Sequence, residues 1–116
     1  MNQALNMDGG IHEIPVPALA GRLWLCGKHF IGPDHAAVLQ RVGASHVVCL
    51  VREGELSGRY DEYVNWLQTS NCSTWYPIHD LSSPPLEEIL PLYQGVIDRL
   101  RRGESVIAHC AAGIGR

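Results

Sequence analysis

The sequence has no long hydrophobic run, no excess of basic residues and no secretory leader. No stretch of about 18 consecutive apolar residues occurs, so we expect no membrane-spanning helix. Nine Lys and Arg residues against twelve Asp and Glu residues give a net charge of −3, which does not indicate nucleic acid as a partner. The amino terminus, MNQALNMDGG, has neither a basic region nor an apolar core that could act as a secretory signal. We therefore predict a cytoplasmic protein with no membrane or nucleic-acid partner.

The sequence lacks the C-x-x-C pair that is typical of zinc sites, since no two of its four cysteines have that spacing. Cys26 and Cys49 lie in the apolar runs LWLCG and HVVCLV, where a buried thiol is the expected structure. Cys72 follows a predicted turn, and without a secretory signal the thiols should stay reduced. The sequence thus predicts neither a metal nor a cofactor, and it leaves Cys110 for a different role.

The composition that remains is that of a globular domain. Apolar residues make up 46% and charged residues 18% of the 116 residues, a length that supports one hydrophobic core and not two. We predict a flexible N-terminal arm at residues 1–10 and a single domain from residue 11 to residue 116.

Strand-like and helix-like segments alternate along this domain. Apolar runs with β-branched residues predict strands, whereas apolar residues at helical spacing predict helices. The predicted strands are an edge strand at 11–17 and strands at 22–26, 45–51, 73–78 and 105–108. The predicted helices are 34–43, with Asp34 as its N-cap, 59–69, and a third that ends near residue 102. This alternation predicts an α/β fold with a mainly parallel central sheet and helices on both faces.

The third helix shows the clearest periodicity, and it contains a proline. Its apolar residues form one predicted stripe, which consists of Leu86, Ile89, Leu90, Tyr93, Val96, Ile97 and Leu100. Pro91 contradicts a straight helix from residue 84, so either the first turn is irregular or the regular helix begins near Pro91.

A Cys-x5-Arg motif, Cys110 to Arg116, follows the last predicted strand. A tight loop of small residues presents successive backbone N–H groups to an anion and lets the backbone approach phosphate oxygens. Arg116 adds a planar, permanently charged group that can bind two of those oxygens. The same donors stabilise Cys110 as the thiolate, which is a nucleophile directed at phosphorus. The predicted phosphate-binding residues are Ala111, Ala112, Gly113, Ile114, Gly115 and Arg116.

This chemistry needs an acid that protonates the leaving oxygen, and Asp80 is the candidate. Asp80 lies in the HDLSSPP loop, which follows the predicted strand at 73–78. Ligands of a parallel sheet bind beyond the carboxyl ends of its strands, so we expect this loop, the loop with Arg52 and the loop from Cys110 to share one edge. The alternative for Asp80 is a cap of the next turn, and the alternative for Arg52 is a solvated surface position.

The segment HCAAGIGR resembles the HCxxGxxR sequence of cysteine-dependent protein tyrosine and dual-specificity phosphatases. The resemblance extends to REGEL, to YPIHD and to the helix before the motif; it covers roughly residues 16–116 and is greatest for the small group around the kinase-associated phosphatase. It implies a dual-specificity phosphatase-like fold with Cys110 as the nucleophile, Arg116 as the phosphate clamp and Asp80 as the general acid. His109 would then tune the cysteine from behind, with a packed strand residue as the alternative.

In that family a hydroxyl residue and a long helix follow the arginine, whereas this sequence stops at Arg116. We therefore expect residues 11–116 to be the N-terminal part of a phosphatase domain. It would lack the C-terminal helices and would be weakly active or inactive by itself.

The leading hypothesis is a protein phosphatase that hydrolyses phosphotyrosine through a phosphocysteine intermediate, with phosphoserine and phosphothreonine as further candidate substrates. Its partner would be a phosphorylated protein or peptide, because Ala111, Ala112 and Ile114 add no positive charge for a highly anionic phosphoinositide. The alternative is a phosphate-binding pseudo-enzyme or fragment without turnover. A rhodanese-like sulfurtransferase also begins its active loop with Cys, but it needs neither Asp80 nor the G-x-G-R ending.

Overall fold

Five strands form one sheet within residues 10–78 and 85–110, the part of the chain that the computed structural model describes. The strands are β1 His12–Ile14, β2 Arg22–Gly27, β3 His46–Cys49, β4 Ser73–Trp75 and β5 Ser105–Cys110. The helices are α1 Lys28–Ile31, α2 His35–Val42, α3 Asp61–Thr69 and α4 Leu86–Arg101, with a 3₁₀ turn at Glu53–Glu55. The predicted arm at residues 1–10 lies, except for Gly10, outside the described residues.

The spatial order of the strands is β1-β2-β5-β3-β4. Strand β1 pairs antiparallel with β2, and the other pairings are parallel. The edge position of β1 agrees with Pro15 and Pro17 directly after it, because proline cannot donate to a neighbouring strand. The predicted α/β fold with a mainly parallel sheet is confirmed.

The central strand β5 extends two residues beyond its predicted end at Ala108. His109 and Cys110 continue the ladder because they pair with Cys26 and Gly27 of β2. His109 is fully buried in the sheet, which agrees with the packed strand position given as its alternative. The nucleophile candidate therefore lies at the end of a strand and not inside a loop.

Helix α2 begins and ends at the residues that the sequence indicates. The Asp34 carboxylate accepts a hydrogen bond from the Ala37 N–H at 3.2 Å, which satisfies a free donor of the first turn. Gly43 ends the helix with φ of 66°, a left-handed conformation that glycine adopts without steric cost. Helix α1 was not predicted; it ends at Gly32, where an added Cβ would come within 2.6 Å of the Tyr60 ring.

The two faces of the sheet are covered unequally. One face packs against the helices α1, α2 and α3, and its buried side chains include Ile31, Val38, Tyr63, Val47 and Ile107. The other face packs against α4 through a smaller cluster of Leu100, Val48 and Val106. None of the described helices is both long enough and apolar enough to span a bilayer.

The structure does not bury the whole of the apolar stripe that the sequence predicts for α4. Ile89 and Leu100 are buried, whereas Leu86, Leu90 and Tyr93 are 67%, 49% and 51% exposed. Val96, which belongs to the predicted stripe, packs against the sheet, and so does Leu92, which the stripe did not include. An α-helix with 3.6 residues per turn can direct only part of its circumference towards one face of a sheet. The side chains at the outer margin of the apolar stripe, Leu86, Leu90 and Tyr93, therefore remain exposed to solvent.

Pro91 lies inside α4, which runs from Leu86 without a break. A start near Pro91 is therefore wrong, and so is an irregular first turn, because Glu88 and Ile89 both donate to the Pro85 carbonyl. The proline is exposed, so the backbone carbonyl that loses its partner can be hydrated.

Candidate functional site

Three parallel strands end together at one edge of the sheet. Gly27 ends β2, Cys110 ends β5 and Cys49 ends β3, and β5 lies between the other two. The carboxyl ends of parallel strands are where α/β proteins bind ligands. The segment HCAAGIGR therefore starts at this edge, as the sequence predicts.

Cys110 is the last residue of the central strand and is 2% exposed. Its partner in the register is Gly27, the last residue of β2. Cys110 is not in a disulfide, and neither are Cys26, Cys49 and Cys72. Cys26 and Cys49 are buried and Cys72 is exposed, so the predicted burial of the first two is confirmed.

His109 is fully buried behind Cys110 and contacts Tyr63 of α3. The Tyr63 hydroxyl and the His109 Nε2 atom lie 2.5 Å apart, in a contact between residues 46 positions apart in the chain. Burial lowers the pKa of His109 to about 4, and a contact with the backbone of Cys110 opposes this shift. That contact falls short of a hydrogen bond, because Nδ1 has no hydrogen-bond partner among the described residues. His109 is therefore neutral near pH 7.

Tyr63 and Cys26, the other buried groups behind the nucleophile candidate, are neutral as well. Burial is the main cause that raises the pKa of Tyr63, and the nearby Cys49 and Cys26 thiols add to it. Burial, with smaller effects of Cys110 and Cys49, raises the pKa of Cys26 to about 12. The Tyr63 hydroxyl thus keeps its proton and can donate it to the neutral imidazole of His109. None of these three buried groups carries a positive charge near pH 7.

Charged side chains follow the two strands that flank β5. Lys28 directly follows β2, and its Nζ atom lies 3.6 Å from Oε1 of Glu55. Arg52 follows β3, and its Nε atom lies 3.5 Å from Oε2 of the same carboxylate. The Arg52 side chain is 42% exposed, which agrees with the surface position given as its alternative, and it is also paired with Glu55.

The chain that leads to Asp80 stays beside β3 after β4 has ended. The Tyr76 N–H donates to the Cys49 carbonyl at 2.9 Å, and the Ile78 N–H donates to the Leu50 carbonyl at 3.0 Å. Leu50 in turn donates to the His109 carbonyl at 2.9 Å. The described chain therefore reaches the same edge of the sheet two residues before Asp80.

Several predicted site residues lie outside the described residues. They are Asp80 and the phosphate-binding set Ala111, Ala112, Gly113, Ile114, Gly115 and Arg116. Of the predicted site, the structure describes Cys110 and His109. Within 10–78 and 85–110, no group of three or more His, Cys, Asp or Glu side chains could hold a metal ion.

Sequence reasoning missed Tyr63, Lys28 and Glu55. Tyr63 was assigned to the apolar face of a helix, and its spacing carries no signal for a hydrogen bond to a strand residue 46 positions away. The pairing of Arg52 with Glu55 follows the i,i+3 spacing and could have been found from the sequence. The contact of Glu55 with Lys28 joins two segments that are distant in the chain, so it could not have been found from the sequence.

No protein-family model matches this chain, and no curated protein matches it. Two solved structures resemble it. Tk-PTP, in its active form, is 27% identical, with a TM-score of 0.64 over 88% of this chain and 67% of that one. TpbA of P. aeruginosa is 19% identical, with a TM-score of 0.52 over 90% of this chain and 61% of that one. The chain thus spans less than two thirds of TpbA, and its fold is like that of a protein tyrosine phosphatase.

Proposed function

We propose that this chain is a cysteine-dependent protein phosphatase acting on phosphotyrosine. The observation that carries the proposal is the position of Cys110. This residue opens the Cys-x5-Arg motif and ends the central strand, between two parallel neighbours, in a fold like that of Tk-PTP. A nucleophile at this edge can reach a phosphate held by the loop that follows it.

In the first step the Cys110 thiolate attacks phosphorus. The new S–P bond forms as the P–O bond to the tyrosine breaks, and Asp80 gives its proton to the leaving phenoxide. The backbone N–H groups of 111–116 and the guanidinium of Arg116 hold the phosphoryl oxygens during transfer. The product of this step is a phosphocysteine and a free hydroxyl group.

In the second step water attacks the phosphocysteine. Asp80, now a carboxylate, takes one proton from the water as the O–P bond forms and the S–P bond breaks. The step returns Cys110 as the thiolate and releases inorganic phosphate. His109 and Tyr63 take part in neither bond change; they hold the end of β5 through a neutral hydrogen bond.

The substrate in this proposal is a phosphorylated protein or peptide. The support for it is the uncharged set Ala111, Ala112 and Ile114, which adds no cation for a more highly charged lipid headgroup. Phosphoserine and phosphothreonine remain further candidates. A cytoplasmic location also remains a prediction.

The test compares the chain with its Cys110→Ser and Asp80→Asn variants. We expect at most weak hydrolysis of p-nitrophenyl phosphate by the chain, loss of that turnover with retained phosphopeptide binding in Cys110→Ser, and slower release of poor leaving groups in Asp80→Asn. The pH–rate profile should be bell-shaped, since Cys110 acts ionised and Asp80 acts protonated. Hydrolysis that survives in Cys110→Ser would disprove the thiolate mechanism. Phosphopeptide binding without turnover in the unaltered chain would favour a pseudo-enzyme.

A further inference from the structure

We draw no further inference here: the strongest candidate, the surface patch that the exposed apolar side chains of Leu86, Leu90 and Tyr93 form on α4, carries nothing because the described residues do not show what covers it.

Discussion

At the scale of single residues, the hydrogen bond between Tyr63 and His109 is the contact on which the nucleophile's surroundings depend most directly. Both side chains are fully buried, so neither can exchange its partner for water. An imidazole in such a site is stable only when neutral and hydrogen-bonded. The same contact places an aromatic ring of α3 against the strand that ends at Cys110.

We predict that Tyr63→Phe lowers the free energy of unfolding by about 1–3 kcal/mol, because it leaves Nε2 of His109 buried without its partner. The control is Tyr60→Phe, which removes a hydroxyl that bonds the exposed His29 at 2.6 Å. Water can replace that partner, so we expect a loss of about 0.5 kcal/mol there. Urea unfolding curves measure both values; an equal loss in the two variants would contradict the assigned role of Tyr63.

At the scale of elements, α4 shows how a regular pattern can mislead. Adjacent apolar residues of one predicted stripe have opposite environments, since Ile89 is buried and Leu90 is about half exposed. Sequence periodicity defines the apolar arc of a helix, but the width of the facing sheet decides how much of that arc is covered. Among the described helices, α4 packs against one face of the sheet and has no neighbouring helix there. The outer margin of its apolar stripe therefore remains in solvent.

We predict that Ile89→Ala lowers the free energy of unfolding by about 2–4 kcal/mol, because Ile89 is buried and its truncation leaves a cavity. Leu90→Ala, one residue along the same helix, should change it by less than about 0.5 kcal/mol, since its side chain is already 49% exposed. Thermal and urea unfolding of the two variants provide the comparison. A large fall in the free energy of unfolding in Leu90→Ala would mean that the outer margin of the apolar stripe of α4 is covered in solution.

At the scale of the whole molecule, two buried histidines in the sheet make folding sensitive to acid. Burial lowers the pKa of His109 to about 4. Burial, together with the nearby Arg99, lowers the pKa of His46 to about 4, although Glu104 opposes this shift. The folded state therefore disfavours protonation of both rings, whereas the unfolded chain binds the protons at its ordinary histidine pKa of about 6.5.

We predict that the free energy of unfolding falls as the pH is lowered from about 6.5 towards 4, with full stability above that window. His109 alone should contribute a loss of about 2 kcal/mol near pH 5, and His46 adds to it in the same direction. Urea unfolding at several pH values measures the loss, and His46→Asn should reduce it in part. An unfolding free energy that stays constant across this window would show that neither ring is held neutral.

Much of the fold follows from local pattern. Strand and helix order, the cap at Asp34 and the terminating Gly43 depend on neighbouring residues, so the sequence predicted them. The end of β5 was placed too early, at Ala108, because the burial of His109 depends on a hydrogen-bond partner, Tyr63, that lies 46 positions away. That partner belongs to another element, and no local pattern identifies it.

The sequence by itself determined the types of chemical group and their order: a cysteine, small residues and an arginine after a buried strand, with an acid upstream. It also determined the α/β alternation, because helical and strand periodicities depend on residues only a few positions apart. Only the tertiary structure decided that His109 is neutral, that Tyr63 is its hydrogen-bond partner, and that Glu55 pairs with Lys28. These properties arise from burial and from contacts between distant segments, which exist only once the sheet has brought those segments together.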